Sequence, residues 1–412
     1  MSAHRFTTAA WRVALSAVCL LAFPMLAAAQ VNFGNVAVGS TAVQAFSFTV
    51  SGGAVTISSV EYPNGYTSDL QPGVVIQPGA VKTVLVTFRP IAAVTYPGGI
   101  VIGGDFAGGF TTIPVSGKGI LATQTASNDF DADGKSDITI YRPSTGGWWS
   151  LKSGANFSAY NTFGWGAAGD VPVPGDYDGD FKTDLAVYRP TTGEWWILFS
   201  TLNYAVHKQY AWGLVGDVPV PADYDGDGQT DLAVYRPSTG GWWILKSSSG
   251  FNSSSTYAWG VPGDVPVVGD YDGDNKADPA IFRPSTGSWW ILRSSGNYAT
   301  FSQASWGLSG DVPVPADYDG DGKVDIAVYR PSNGTWWIVK SSVGFSTYSS
   351  YAWGLPGDVP VLGDFDGDFK NDLAVYRPTT GGWWILKSST NFATYSAYSW
   401  GLAGDVPLFR RQ

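Results

Sequence analysis

The residues with the most chemistry in this 412-residue chain are aspartates at a fixed spacing. In Asp223-Tyr-Asp-Gly-Asp-Gly-Gln-Thr-Asp231, carboxylates stand at positions 1, 3, 5 and 9 of a nine-residue loop. Hard oxygen donors on a short, glycine-bent segment are what a calcium ion takes. The loop recurs every 47 residues, as Asp129, Asp131, Asp133 and Asp137; Asp176, Asp178, Asp180 and Asp184; Asp223, Asp225, Asp227 and Asp231; Asp270, Asp272, Asp274 and Asp278; Asp317, Asp319, Asp321 and Asp325; and Asp364, Asp366, Asp368 and Asp372. By analogy with the EF-hand, side chains at positions 1, 3 and 5 and the carbonyl at 7 ligate the ion, and the aspartate at 9 closes the loop. Glycine at position 4 or 6 permits the bend. About six Ca2+ ions, one per loop, follow.

Each loop needs strands to hold it. One unit runs through Gly216-Asp-Val-Pro219, the acidic loop, Leu232-Ala-Val-Tyr-Arg-Pro237, Trp242-Trp-Ile-Leu-Lys246 and Ser255-Thr-Tyr-Ala-Trp-Gly260. That predicts four short strands, the content of one propeller blade, over 129–412. The first copy begins at its loop with no strand before it, and the chain ends on a spare first strand, Gly404-Asp-Val-Pro-Leu-Phe409. Pairing that strand into the first copy closes six blades into a ring with no free edge at the seam. Pro279, where other copies have Ala, interrupts the second strand of the fourth copy.

These loops and their surroundings resemble the FG-GAP and VCBS-type repeats of integrin alpha-subunit propellers and of bacterial secreted proteins. The resemblance covers 129 to the C-terminus and implies that the loop between the first and second strands holds calcium through the Asp positions above. The Phe-Gly and Gly-Ala-Pro elements of that family are absent; Tyr-Arg-Pro stands after the second strand instead, with Phe282 replacing the Tyr in the fourth copy.

Each copy also carries a Trp-Trp pair and a Trp-Gly, and neighbours on a strand point to opposite faces, so inter-blade packing is expected. Topology puts strand 3 starts and strand 4 ends away from the calcium loops, so a Trp-rich face suited to sugars is the alternative. The Asp of Gly-Asp-Val-Pro and the Arg of Tyr-Arg-Pro recur once per copy on strands expected to be adjacent, which reads as a structural ion pair.

The remaining sequence sets the context. The loops hold most of the 34 acidic residues, so the formal charge of −10 reflects metal sites, and no basic stripe suggests nucleic acid. Residues 1–29 read as a signal peptide: Arg5 and Arg12, an apolar run 13–26, then Ala27-Ala-Ala29. Cys19, the sole cysteine, lies within it, leaving no disulfide and no transmembrane segment after processing. Residues 31–121 alternate like short antiparallel strands, at 44–50, 55–60, 80–88, 99–102 and 110–115, and predict a β-sandwich. Through Asn32-Phe-Gly-Asn-Val-Ala-Val-Gly39, Ile76-Gln-Pro-Gly79 and Ile113-Pro-Val-Ser-Gly-Lys-Gly119 this segment resembles immunoglobulin-like domains related to the major sperm protein. That family implies a spacer or protein-contact role. Residues 122–128 read as a linker.

The expectation is therefore an all-β protein, an immunoglobulin-like sandwich followed by a six-bladed propeller, secreted or at the cell surface, with the periplasm as the other destination. It binds an extracellular protein or surface polymer without catalysis; the alternatives are a lectin on the Trp face and a secreted enzyme. Against the enzyme, His207 and Glu194 are isolated, and no Gly-x-Ser-x-Gly, His-Glu-x-x-His or phosphate loop is present.

Overall fold

A computed structural model describes residues 18–21, 31–37, 42–50, 52–90, 95–106, 109–120 and 128–408. The chain divides into two compact units, Met1–Ala122 and Thr123–Gln412. The structure is all-β; among the described residues the helices are three single 3-10 turns, and none is long and apolar enough to cross a membrane. The expected signal segment lies outside the described residues except Val18–Leu21, a short strand parallel to Ser47–Val50. The expected linker lies outside them except for Asn128.

The first unit contains a four-stranded and a five-stranded sheet. Alternation drives it: along Val81–Phe88 the side chains of Val84, Val86 and Phe88 turn inward and Leu85 outward. They join Phe33, Tyr66 and Ile102 in one core, where the Tyr66 hydroxyl donates to the Tyr96 carbonyl at 2.7 Å. Several strands exceed their expected spans, as in Thr95–Gly104 and Phe110–Ile120. Three others, Val31–Ala37, Tyr66–Ser68 and Val75–Ile76, were not expected. The last two are too short for alternation to register.

The second unit consists of six four-stranded antiparallel sheets, one per 47-residue copy. In the third, Val218–Pro219, Leu232–Arg236, Gly241–Leu245 and Ser254–Ala258 lie side by side in that order. Leu232, Ala233, Val234 and Tyr235 are all buried, because neighbouring sheets cover both faces of this strand. The outermost strand, Ser254–Ala258, alternates exposed and half-buried residues, as a rim strand should. In the first copy the missing strand comes from the other end of the chain: Val406–Pro407 pairs antiparallel with Ile140–Tyr141, and Leu408 N–H donates to the Thr139 carbonyl. Pro279 shortens its strand to Ala280–Arg283 without displacing the Gly269–Asp278 bridge beneath it.

Each Trp-Trp pair divides between the two neighbouring sheets. Trp242, fully buried, packs with Val268 and Ile281 of the next copy, whereas Trp243 packs against the cluster of Trp195 and Ile197 in the previous one. Trp242 Nε1 donates to the Trp259 carbonyl, and Trp259 Nε1 donates onward to the Trp290 carbonyl of the next copy. The relay runs through all six copies and returns from Trp400 to Trp149.

The repeated Asp and Arg meet as bidentate pairs, Arg236 with Asp217 at 2.7 Å and, across the chain ends, Arg142 with Asp405 at 2.6 Å. The aspartate is buried and also accepts a turn amide, for Asp217 that of Leu214.

Candidate metal centre

The six acidic loops fold alike because their own amides organise them. The position-1 carboxylate accepts the amides of positions 4 and 6: Asp223 from Gly226 at 2.6 Å and Gly228 at 2.8 Å, with the same pattern in the other five loops. Positions 4 and 6 are both left-handed, which favours glycine. Ala132, Phe181, Asn275 and Phe369 adopt that conformation without it, held by the aspartate.

The position-9 carboxylate is tied down on both oxygens. Asp231 Oδ2 accepts the Tyr224 amide at 2.8 Å, and Oδ1 accepts the Ser247 amide at 2.7 Å and the Ser247 hydroxyl at 2.6 Å. Ser153, Ser200, Ser294, Ser341 and Ser388 are the counterparts, each donating its amide to its own position-9 aspartate. These buried serines were missed from the sequence. Their only signal is a Ser that follows the Trp-Trp strand in every copy, 16 residues after position 9.

Position 5 is hydrogen-bonded within the loop and is not among the carboxylates that converge. Asp227 accepts the Gln229 amide and the Ser247 hydroxyl, and Asp133, Asp180, Asp274, Asp321 and Asp368 are bound in the same way. The residues that converge are positions 1, 3 and 9. One oxygen each of Asp129, Asp131 and Asp137 lie within 4.8 Å of one another, as do those of Asp176, Asp178 and Asp184; Asp223, Asp225 and Asp231; Asp270, Asp272 and Asp278; and Asp317, Asp319 and Asp325.

The position-3 aspartate carries the test of whether a cation fits. In every loop its Oδ1 (Asp131, Asp178, Asp225, Asp272, Asp319, Asp366) is buried with no hydrogen-bond partner. A buried carboxylate oxygen without a donor is costly unless a cation meets it. The all-oxygen donor set suits calcium or another hard divalent ion. Burial pushes Asp223 up to about 6 and Asp231 up to about 7, with neighbouring carboxylates adding to the rise and loop amides opposing it. Asp129, Asp317 and Asp364 rise to about 7 for the same reason. Such carboxylates ionise fully near neutrality only when a positive charge joins them.

The loops are also joined to one another. The amide at position 8 of each donates to the position-1 carbonyl of the loop before it: Thr183 to Asp129, Thr230 to Asp176, Ala277 to Asp223, Val324 to Asp270 and Asn371 to Asp317, with Ser136 donating to Asp364. Lys323 adds a bond from Nζ to the Asp272 carbonyl of the preceding loop.

The tryptophans do not form one open platform. The first of each pair is fully buried, while the second and the Trp of Trp-Gly are half-buried between successive sheets. Each Arg lies over the second Trp, at 3.9 Å for Arg236 on Trp243 and 5.8 Å for Arg283 on Trp290. Glu194 hydrogen-bonds Thr192 and Gln209 in an exposed hairpin, and His207 lies against Trp165 and Trp196.

The FG-GAP-like repeat family matches residues 270–328, which span the fourth and fifth acidic loops. No curated protein sequence matches the chain. Among solved structures, the chain is similar to an Agrocybe aegerita lectin described as recognising non-reducing terminal N-acetylglucosamine, at 15% identity and a TM-score of 0.44, covering 65% of this chain and 77% of that one. It is also similar to a Lactobacillus plantarum protein at 11% identity and a TM-score of 0.39, covering 74% of this chain and 93% of that one.

Proposed function

We propose that residues 129–412 form a closed six-bladed β-propeller that acts as a non-catalytic recognition module and is stapled by one calcium ion per acidic loop. The observation that carries the reading is the orphaned Oδ1 of Asp225 and its five counterparts, each beside two further carboxylates, in loops bonded to one another in a cycle. Positions 1, 3 and 9 would hold the ion. Position 5 and the buried serine would orient position 9. The ion would supply charge neutralisation and no open coordination chemistry.

The chain carries a signal-like start that holds its one cysteine, Cys19, so the exported form is without cysteine, and calcium, abundant outside cells, replaces disulfides as its cross-link. The first unit serves as an immunoglobulin-like spacer. The partner is an extracellular protein or surface polymer, bound on the rim and turns where symmetry between copies is broken.

Isothermal titration of metal-stripped protein with calcium tests the reading. Close to six ions per chain supports it; fewer than one refutes it.

A further inference from the structure

The six copies repeat one aromatic device at the rim, and one copy leaves it incomplete. Tyr160, His207, Ser254, Phe301, Tyr348 and Tyr395 occupy the same register, first or second in the outer strand and on the sheet face that carries the second Trp of the pair. In five copies a ring at this position covers the Trp-Gly indole of the preceding copy. The centroid distances are 5.2 Å for Tyr160 on Trp400, 5.2 Å for His207 on Trp165, 5.5 Å for Phe301 on Trp259, 5.2 Å for Tyr348 on Trp306 and 5.3 Å for Tyr395 on Trp353. All five are tilted 50–54°. In the third copy the residue is Ser254, exposed, and among the described residues no ring pairs with Trp212.

The geometry points to the junction of the second and third copies as a docking slot for an aromatic side chain, Tyr or Phe, of a partner polypeptide. This deepens the recognition reading above and rests on it. The chain itself shows what the slot takes, since its five equivalents are filled by a Tyr, Phe or His ring in one common pose. Tilted aromatic pairs add about 0.5–1.5 kcal/mol beyond the area they bury.

The walls are preorganised. Trp212 Nε1 is fixed on the Trp243 carbonyl, Arg236 is held by Asp217 and stacked on Trp243, and Ser254 begins a free sheet edge that an extended segment can join. A sheet edge beside a ring slot favours a polypeptide over a sugar.

The test uses the full chain in millimolar calcium with its Trp indoles isotope-labelled, titrated with N-acetyl-tyrosinamide and, separately, with methyl glucoside. The expected result is a saturable shift of the Trp212 and Trp243 indole signals with the tyrosine amide, lost in Ser254→Tyr. In Tyr348→Ser a second responsive pair, Trp306 and Trp337, is gained. Ser254→Tyr should melt no lower than the parent, because it copies the other five sites; should it fail to fold, the gain in Tyr348→Ser decides. No saturable shift, a shift that survives Ser254→Tyr, or a response to the glucoside alone overturns the slot. The calcium stoichiometry, read separately, bears on the propeller reading and not on the slot.

Discussion

The Ser136 amide donates to the Asp364 carbonyl at 2.7 Å, joining the first acidic loop to the last across most of the repeat region. The same bond links every other successive pair of loops. The two ends of the repeat region are thus joined at the loops as well as at the strand supplied by Val406–Pro407. The bonds that tie the first and last copies to each other are those that tie successive copies, and that equivalence can be measured.

Arg142→Met and Arg236→Met should destabilise the fold by similar amounts, on the order of 3 kcal/mol each, and lower the melting temperature alike, since both leave a buried aspartate without its arginine. Thermal melts of the two variants check this. A harmless Arg142→Met beside a damaging Arg236→Met would mean that the C-terminal strand is not seated.

Asp225→Asn should remove one calcium of the six, whereas Asp227→Asn should retain the full number with weaker binding. Asp225 carries the unpartnered oxygen, while Asp227 is bound to the Ser247 hydroxyl and the Gln229 amide. Calorimetric counting separates them. Without metal, Asp225→Asn should melt no lower than the parent, because it removes a negative charge one of whose oxygens is buried without a donor, while the oxygen that accepts the Ser248 hydroxyl can be kept.

Ser247→Ala should cost about 1–3 kcal/mol, because a buried carboxylate loses a hydroxyl donor. Its amide bond to Asp231 is untouched, so the loop should still fold and bind calcium more weakly. Denaturant melts with and without calcium check both parts.

Metal-stripped protein should lose stability as the pH rises. Burial sets the folded-state values of Asp223 and Asp270 at about 6 and of Asp231 and Asp278 at about 7, above the ordinary 3.8. The folded state therefore holds more protons than the unfolded chain between those values, and the contribution of these groups falls from about pH 4 to pH 7. Denaturant midpoints over that range should decline without calcium. With calcium the decline should shrink or reverse, because the ion binds the ionised form.

The repeat, the four-strand unit and the acidic loops were legible because each is written in residue types at constant spacing. The meeting of Arg142 with Asp405 was legible from the phase of the two ends. The arrangement within the loop was not: four aspartates look alike in sequence, and only the fold brings one oxygen each of positions 1, 3 and 9 together while position 5 takes the amide of position 7.

Indole orientation was also hidden. Gly241 stands two residues before Trp243, whose ring lies against the place a β-carbon on that glycine would take, with Cη2 at 2.5 Å and Cζ3 at 2.7 Å. Gly147 and Gly382 do the same in their copies, and there the Arg sits at 4.1 and 4.0 Å. Glu194, Ser288 and Thr335 fill that space, the Arg moves to 5.2–5.8 Å, and Nε1 of Trp196, Trp290 and Trp337 is left buried without a partner. One atom of side chain, two residues away in sequence, sets the ring, and no periodicity reports it.

The central claim is that calcium in the six loops holds the ring together. The most direct measurement is the thermal melt of the full chain with millimolar calcium and with excess chelator at pH 7. The account predicts a melting temperature many degrees higher with calcium, since an ion that binds only the folded state adds stability by mass action at every occupied loop. Superimposable melts would contradict it.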